Sequence, residues 1–180
     1  MVVAISFFSL LYGCGSGDEW QATSQPVTEI PGSYRFPAGK SIIAFSAIST
    51  ARLAASVSAL DITLTLPQGM SAVTAGGLSG HVDDASITAG SALTGTNLAF
   101  GSYSASSRKL RLSMTTTSTN YRGGEFLRLT CDVAPAVAIT LDDLRALNNP
   151  VKVVKAIGYD PHTISTLQLT SSVKVTIGVK

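Results

Sequence analysis

The sequence predicts an all-β chain: an antiparallel, jelly-roll-like β-sandwich with one short helix, covering residues 34–180. Three observations predict it. Only 13% of the residues are charged while 45% are hydrophobic, and surface helices need a charged face. Ser, Thr, Ala and Gly are abundant, which suits short strands joined by small polar turns. Apolar residues recur at every second position in several segments, and helical spacing appears once. A chain of 180 residues holds one domain with a sizeable core and is short for two.

The elements follow in order. Residues 41–48, "SIIAFSAI", are apolar on both faces and read as a central strand. Residues 60–66 alternate, with Leu60, Ile62, Leu64 and Leu66 facing one way, and Pro67-Gln68-Gly69 ends them in a turn. "NLAFGSY", the turn "SASSR" and "KLRLSM" (109–114) read as a hairpin, with Leu110, Leu112 and Met114 inward. "FLRLTCDV" sets Leu127, Leu129, Cys131 and Val133 on one face, and Phe126, Arg128, Thr130 and Asp132 on the other. "TLDDLRAL" is the helix: Thr140 caps it, Asp142 and Asp143 suit its positive end, and Leu141, Leu144 and Leu147 share a side. Pro150 bars its continuation. Residues 151–157 and 173–179 are the closing strands. No repeat of 20 to 50 residues is visible.

The N-terminus reads differently. Val2–Tyr12 is an apolar run of eleven residues. A membrane-spanning helix needs about 20. The length suits a secretory signal peptide. Leu11-Tyr12-Gly13-Cys14 resembles the lipobox of bacterial lipoproteins, with Leu11, Gly13 and Cys14 matching, a bulky Tyr12, and no basic residue before the run. The resemblance implies a signal peptide over 1–13 and a lipidated Cys14 as the mature N-terminus. It places the protein in the bacterial cell envelope, and Gly15 after the cysteine favours the outer membrane or cell surface. Several acyl chains hold a protein where one does not. Residues 14–33 then form the lipidated cysteine and a tether, polar and broken by Pro26 and Pro31. Trp20, within it, reads as packing on the domain. With Cys14 acylated, Cys131 has no partner for an intramolecular disulfide.

"VSALDITLTLPQGMSAV" and "GGEFLRLTCDV" resemble segments of cohesin-like domains, and the helix at 140–147 and the closing "VKVTI" keep the same order. That family shares its fold with family 2 and family 3 carbohydrate-binding modules. The resemblance covers about residues 34–180 and carries the fold. The dockerin-binding residues of cohesins have no counterparts that can be placed here.

The catalytic inventory is thin. "GKS" at 39–41 lacks the earlier glycine of a phosphate-binding loop, since position 34 is Tyr34, and a β-type stretch follows it. His81 lies beside Asp83 and Asp84, and His162 stands alone. Neither belongs to a nucleophile elbow, so a hydrolase is the third reading. No zinc spacing exists. Calcium could draw on Asp83, Asp84, Asp132, Asp142, Asp143 and Asp160, but no calcium-loop motif joins them. No basic block suggests nucleic acid.

The leading expectation is therefore a non-enzymatic, lipid-anchored envelope protein without cofactor or metal. It would display the sandwich to another envelope protein or a polysaccharide. The alternative is a carbohydrate-binding module that stacks sugars on exposed aromatics, with Trp20, Tyr103 and Tyr121 as ligand-binding candidates and Tyr34, Phe36 and Tyr159 beside them.

Overall fold

Alternation decides the architecture, because each alternating segment has one face to bury and one to expose. The computed structural model describes residues 34–76 and 80–180. The expected signal peptide, Cys14, the expected tether and Trp20 lie outside the described residues. Within them run β1 (Gly39–Ser49), β2 (Ser56–Thr65), β3 (Met70–Ala72), β4 (Ile87–Ala89), β5 (Asn97–Ser104), β6 (Lys109–Thr116), β7 (Gly124–Val133), α1 (Leu141–Leu147), β8 (Lys152–Asp160), β9 (Ser165–Gln168) and β10 (Val173–Val179).

The strands form two antiparallel sheets that pack as a sandwich. The first has the order β10-β1-β7-β3, with β4 also on β7, and the second has the order β5-β6-β2-β8-β9. The pairs β1–β10, β2–β8, β4–β7 and β5–β6 nest in sequence, as in a long hairpin rolled into two layers. This is the jelly-roll-like arrangement expected of the alternating pattern. The first sheet contributes Ile43, Phe45, Leu127, Leu129, Cys131 and Ile177 to the core. The second contributes Leu60, Ile62, Leu64, Leu110, Leu112 and Met114. The turn after β2 closes with the Met70 N–H donating to the Pro67 carbonyl at 3.1 Å. Gly69 there has φ +88°, the left-handed position that such a turn gives to glycine.

Two expectations need correction. Phe126 is not on the wet face of β7: it is fully buried, and its ring centroid lies 6.5 Å from that of Phe45. The register explains why. Phe45 pairs with Leu127 and Ser46 with Glu125, so Phe126 is an extra residue in a bulge. A bulge interrupts the two-residue period and turns the next side chain to the opposite face.

The helix also departs from the pattern. Thr140 caps it as expected, its side chain accepting from the Asp143 N–H while the Asp143 carboxylate accepts from the Thr140 N–H. Leu141 and Leu144 are buried, but Leu147 is half-exposed. The helix stops at Leu147, and the buried Asn148 takes the inward position instead. Its amide donates to the carbonyls of Leu144 and Thr65 and accepts from the Thr65 N–H at 2.7 Å.

Candidate interaction surface

The outward positions of β5, β6, β2 and β8 make one continuous face. Their inward neighbours are fixed in the core, so the alternate side chains must point to solvent. Residues directly opposite in an antiparallel pair share a face, and the register therefore sets rows across the sheet. One row holds Leu98, Thr115, Ala59, Ile157 and Gln168; the next holds Phe100, Ser113, Asp61 and Lys155; a third holds Ser102, Arg111, Thr63 and Lys152.

The face has two halves of different chemistry. Leu98, Ala59, Ile157 and the flanking Phe100 give one half its apolar character, with Thr115 and Gln168 among them, and Leu98 is 62% and Phe100 44% exposed. Towards the β5–β6 hairpin the outward residues are Ser102, Ser104, Lys109, Arg111, Thr63 and Lys152. Asp61 is the one acid in these rows, and its carboxylate meets Arg111 at 3.1 Å. Lys109, Lys152 and Lys155 form no ion pair among the described residues. The half is therefore basic and rich in hydroxyls.

Two open depressions flank β5. One, of about 420 Å³, runs between β4 and the start of β5, lined by His81, Ile87, Ala89, Leu98 and Phe100. The other, of about 340 Å³, lies at the basic end, lined by Thr63, Ser102, Ser104, Ser107, Lys109 and Arg111.

The outer face of the first sheet offers a contrast. Its centre is filled by an ion cluster in which Glu125 meets Arg128 at 2.6 Å and Lys180 at 3.4 Å. Burial would raise the Glu125 pKa, but the Ser91 N–H, the Arg128 guanidinium and the Lys180 ammonium together hold it below the ordinary range. Within that cluster the charges satisfy one another; the same face also carries the exposed Ile42 and Ile48, with Lys174 opposite Ile48.

The sequence candidates fall as follows. Tyr121 is buried, with its hydroxyl donating to the Gly124 carbonyl at 3.1 Å, and burial pushes that hydroxyl's pKa upward. Tyr103 is also buried, on the inward side of β5. Neither ring has a free face for stacking, which corrects the aromatic platform assigned to them. Tyr103 belongs to the same alternation as Gly101, and Tyr121 closes the end of the sandwich beside Ala47 and Gly124. Phe36 is buried and packs edge-on to Tyr34 at 5.4 Å. Tyr159 is half-exposed, on β8 and outside the row of Phe100.

His81 bonds to Asp84 at 3.2 Å. Among the described residues no serine or threonine hydroxyl is bonded to either histidine ring, so the structure brings together no nucleophile and base. Most of the carboxylates considered for calcium are engaged locally: Asp83 accepts from the Ser86 hydroxyl and Asp84 meets His81. Asp132 pairs with Lys40 at 3.0 Å, Asp143 belongs to the helix cap, and Asp160 accepts from the His162 N–H and the Thr163 hydroxyl. Those bonds hold the Asp143 and Asp160 carboxyls below the usual range. Among the described residues no three metal-binding side chains gather. Cys131 is buried, and burial followed by the nearby Asp132 pushes its thiol up to about 12.

Sequence reasoning missed the second sheet's outer face. The signal was the complement of the inward pattern: once Leu110, Leu112 and Met114 face the core, Lys109 and Arg111 must face out together. Assembling the face still required the register, which the sequence does not print. No protein-family model, curated protein or solved structure matches this chain.

Proposed function

We propose that this chain is a non-enzymatic, lipid-anchored protein of the bacterial cell envelope, displaying a cohesin-like sandwich whose second-sheet outer face contacts another envelope component. One observation carries the reading: that face exposes Leu98 and Phe100 at one end of β5 and, towards the β5–β6 hairpin and on β8, lysines that form no ion pair among the described residues. Exposed apolar side chains on the same face as uncompensated charge suit a binding surface better than a passive one. The lipobox-like Leu11-Tyr12-Gly13-Cys14 supplies the anchor in this reading, and residues 14–33 supply the reach. The order of strands, helix and closing strand along the chain supports the cohesin-like comparison.

The anchor is tested by mass spectrometry of the N-terminus. The reading requires a chain starting at acylated Cys14, with Cys14→Ala leaving the membrane fraction. An unprocessed Met1 terminus would refute it. The face is tested with paired variants of equal thermal stability. Leu98→Ser with Phe100→Ser should abolish retention of the Cys14→Ala protein on isolated envelopes, while Ile42→Ser with Ile48→Ser, on the first sheet, should not. Equal retention by both pairs would refute the assignment.

A further inference from the structure

We infer that the basic end of this face binds an acidic polysaccharide through its carboxylates, in the depression lined by Thr63, Ser102, Ser104, Ser107, Lys109 and Arg111. The inference rests on the reading of the second sheet as a contact face and names the class of its ligand.

The charge comes first. Lys109 and Arg111 are alternate residues of β6, so both side chains leave the sheet on the same side, about 7 Å apart along the strand. Lys152 lies opposite Thr63 on β8 and Lys155 opposite Asp61, so β2 is flanked by cations on both sides. β6 and β8 are each one strand from β2, which sets the two cation rows about 10 Å apart. Among the described residues Asp61 forms an ion pair with Arg111 and with none of the three lysines. The Lys109 ammonium and the two lysines of β8 keep their charge available to a ligand. A repeating polyanion places several negative groups over such an area at once, and each contact adds to the others.

The floor of the depression decides between polyanions. The Ser104 hydroxyl contacts those of Ser106 and Ser107, at 3.3 and 2.9 Å, and Ser102 and Thr63 stand in the row of Arg111. Hydroxyls both donate and accept. They can both give to and take from the hydroxyl groups of a sugar, whereas a phosphate chain, which offers acceptors alone, would use only their donor capacity. An acidic protein would need an apolar centre to its interface. Of the large apolar residues that line this depression, Leu110 is fully buried and Tyr103 is 7% exposed, so neither offers an apolar side chain large enough to anchor a protein partner. Leu98 and Phe100 lie at the other end of β5. A hydroxyl-rich chain bearing carboxylates matches both halves of the chemistry.

The test uses the full chain in detergent and four probes: polygalacturonate, the same polymer fully methyl-esterified, poly-glutamate and polyphosphate. Affinity electrophoresis and calorimetry at low salt give the binding constants. Polygalacturonate should bind, weaken steeply as salt rises, and bind more tightly than the other three. Lys109→Glu with Arg111→Glu should weaken it about tenfold or more, since two attractions become repulsions. Lys109→Gln alone and Lys152→Gln alone should each weaken it by a smaller factor, with the melting temperature unchanged. Lys174→Glu, on the first sheet, should leave it unaltered.

Four outcomes would overturn the inference. They are no binding of polygalacturonate, equal binding of its ester, equal or tighter binding of poly-glutamate or polyphosphate, or indifference to the Lys109 and Lys152 variants. In any of these cases the envelope retention lost with Leu98→Ser and Phe100→Ser would still report on the contact face itself. The two ideas can therefore fail separately.

Discussion

Glu125 and Arg128 meet on one face of β7, with 2.6 Å between carboxylate and guanidinium, although strict alternation would send Glu125 into the core with Leu127. Phe126 makes the difference. It has no partner on β1 and occupies the bulge between Leu127 and Glu125. The extra residue turns a three-residue separation into neighbours on the same face. One insertion thus places an aromatic in the core and a carboxylate outside it.

The Glu125 carboxyl is held below its ordinary value of 4.5. A depressed carboxylate contributes stability above its unfolded pKa and loses it as pH falls through the folded one. Urea stability should therefore begin to drop as pH falls below 4.5 and continue to drop through the lower folded value. Glu125→Gln should be less stable at neutral pH and should flatten part of that acid slope. An unchanged slope in the variant would show that the cluster with Arg128 and Lys180 contributes nothing.

Phe126→Ala empties a fully buried site next to Phe45. The expected loss is about 3–5 kcal/mol in urea unfolding. A loss near zero would mean that the bulge does not seat Phe126 in the core.

Asn148 acts on β2 as a piece of extra strand, taking both backbone groups of Thr65. Asn148→Ala removes the side-chain partner of the part-buried backbone groups of Thr65 and of the buried Leu144 carbonyl. It should cost about 2–3 kcal/mol. Leu147→Ala, at a half-exposed position, should cost far less, and the reverse ranking would restore the helical face expected from the leucine spacing.

Cys131 is a buried thiol whose pKa stands at about 12, so it stays protonated and small at neutral pH. Thiol-reactive dye should label it only on unfolding, measured by mass shift against urea concentration. Cys131→Ala should cost about 1 kcal/mol through lost packing. Rapid labelling of the native chain would contradict the β7 register.

Much of the fold was readable from local pattern. Leu60, Ile62 and Leu64, and Leu110, Leu112 and Met114, declared their strands because a single face of each is buried and the period is regular. Thr140 and Asp143 declared the helix start because a cap is a contact within four residues. What stayed hidden depended on partners distant in sequence. β3, β4 and β9 are three or four residues long, too short to show a period, and they exist because β7 and β8 pair with them. Tyr121 lies outside every expected strand and Tyr103 at the end of one, so both looked available, yet the closure of the sandwich buries both. The outer face of the second sheet was hidden for the same reason: Phe100, Asp61 and Lys155 share a row only through the registers of three strand pairs.

The outer face of the second sheet is the proposed working surface of the molecule. Site-specific photocrosslinking in intact cells expressing the full chain tests it most directly, with the crosslinking residue at Phe100 in one strain and at Ile48, on the outer face of the first sheet, in another. Both positions are exposed, so reach does not bias the comparison. The account predicts that an envelope component, polymer or protein, is captured from position 100 and not from position 48. Capture from position 48 alone, or from neither position, would contradict it.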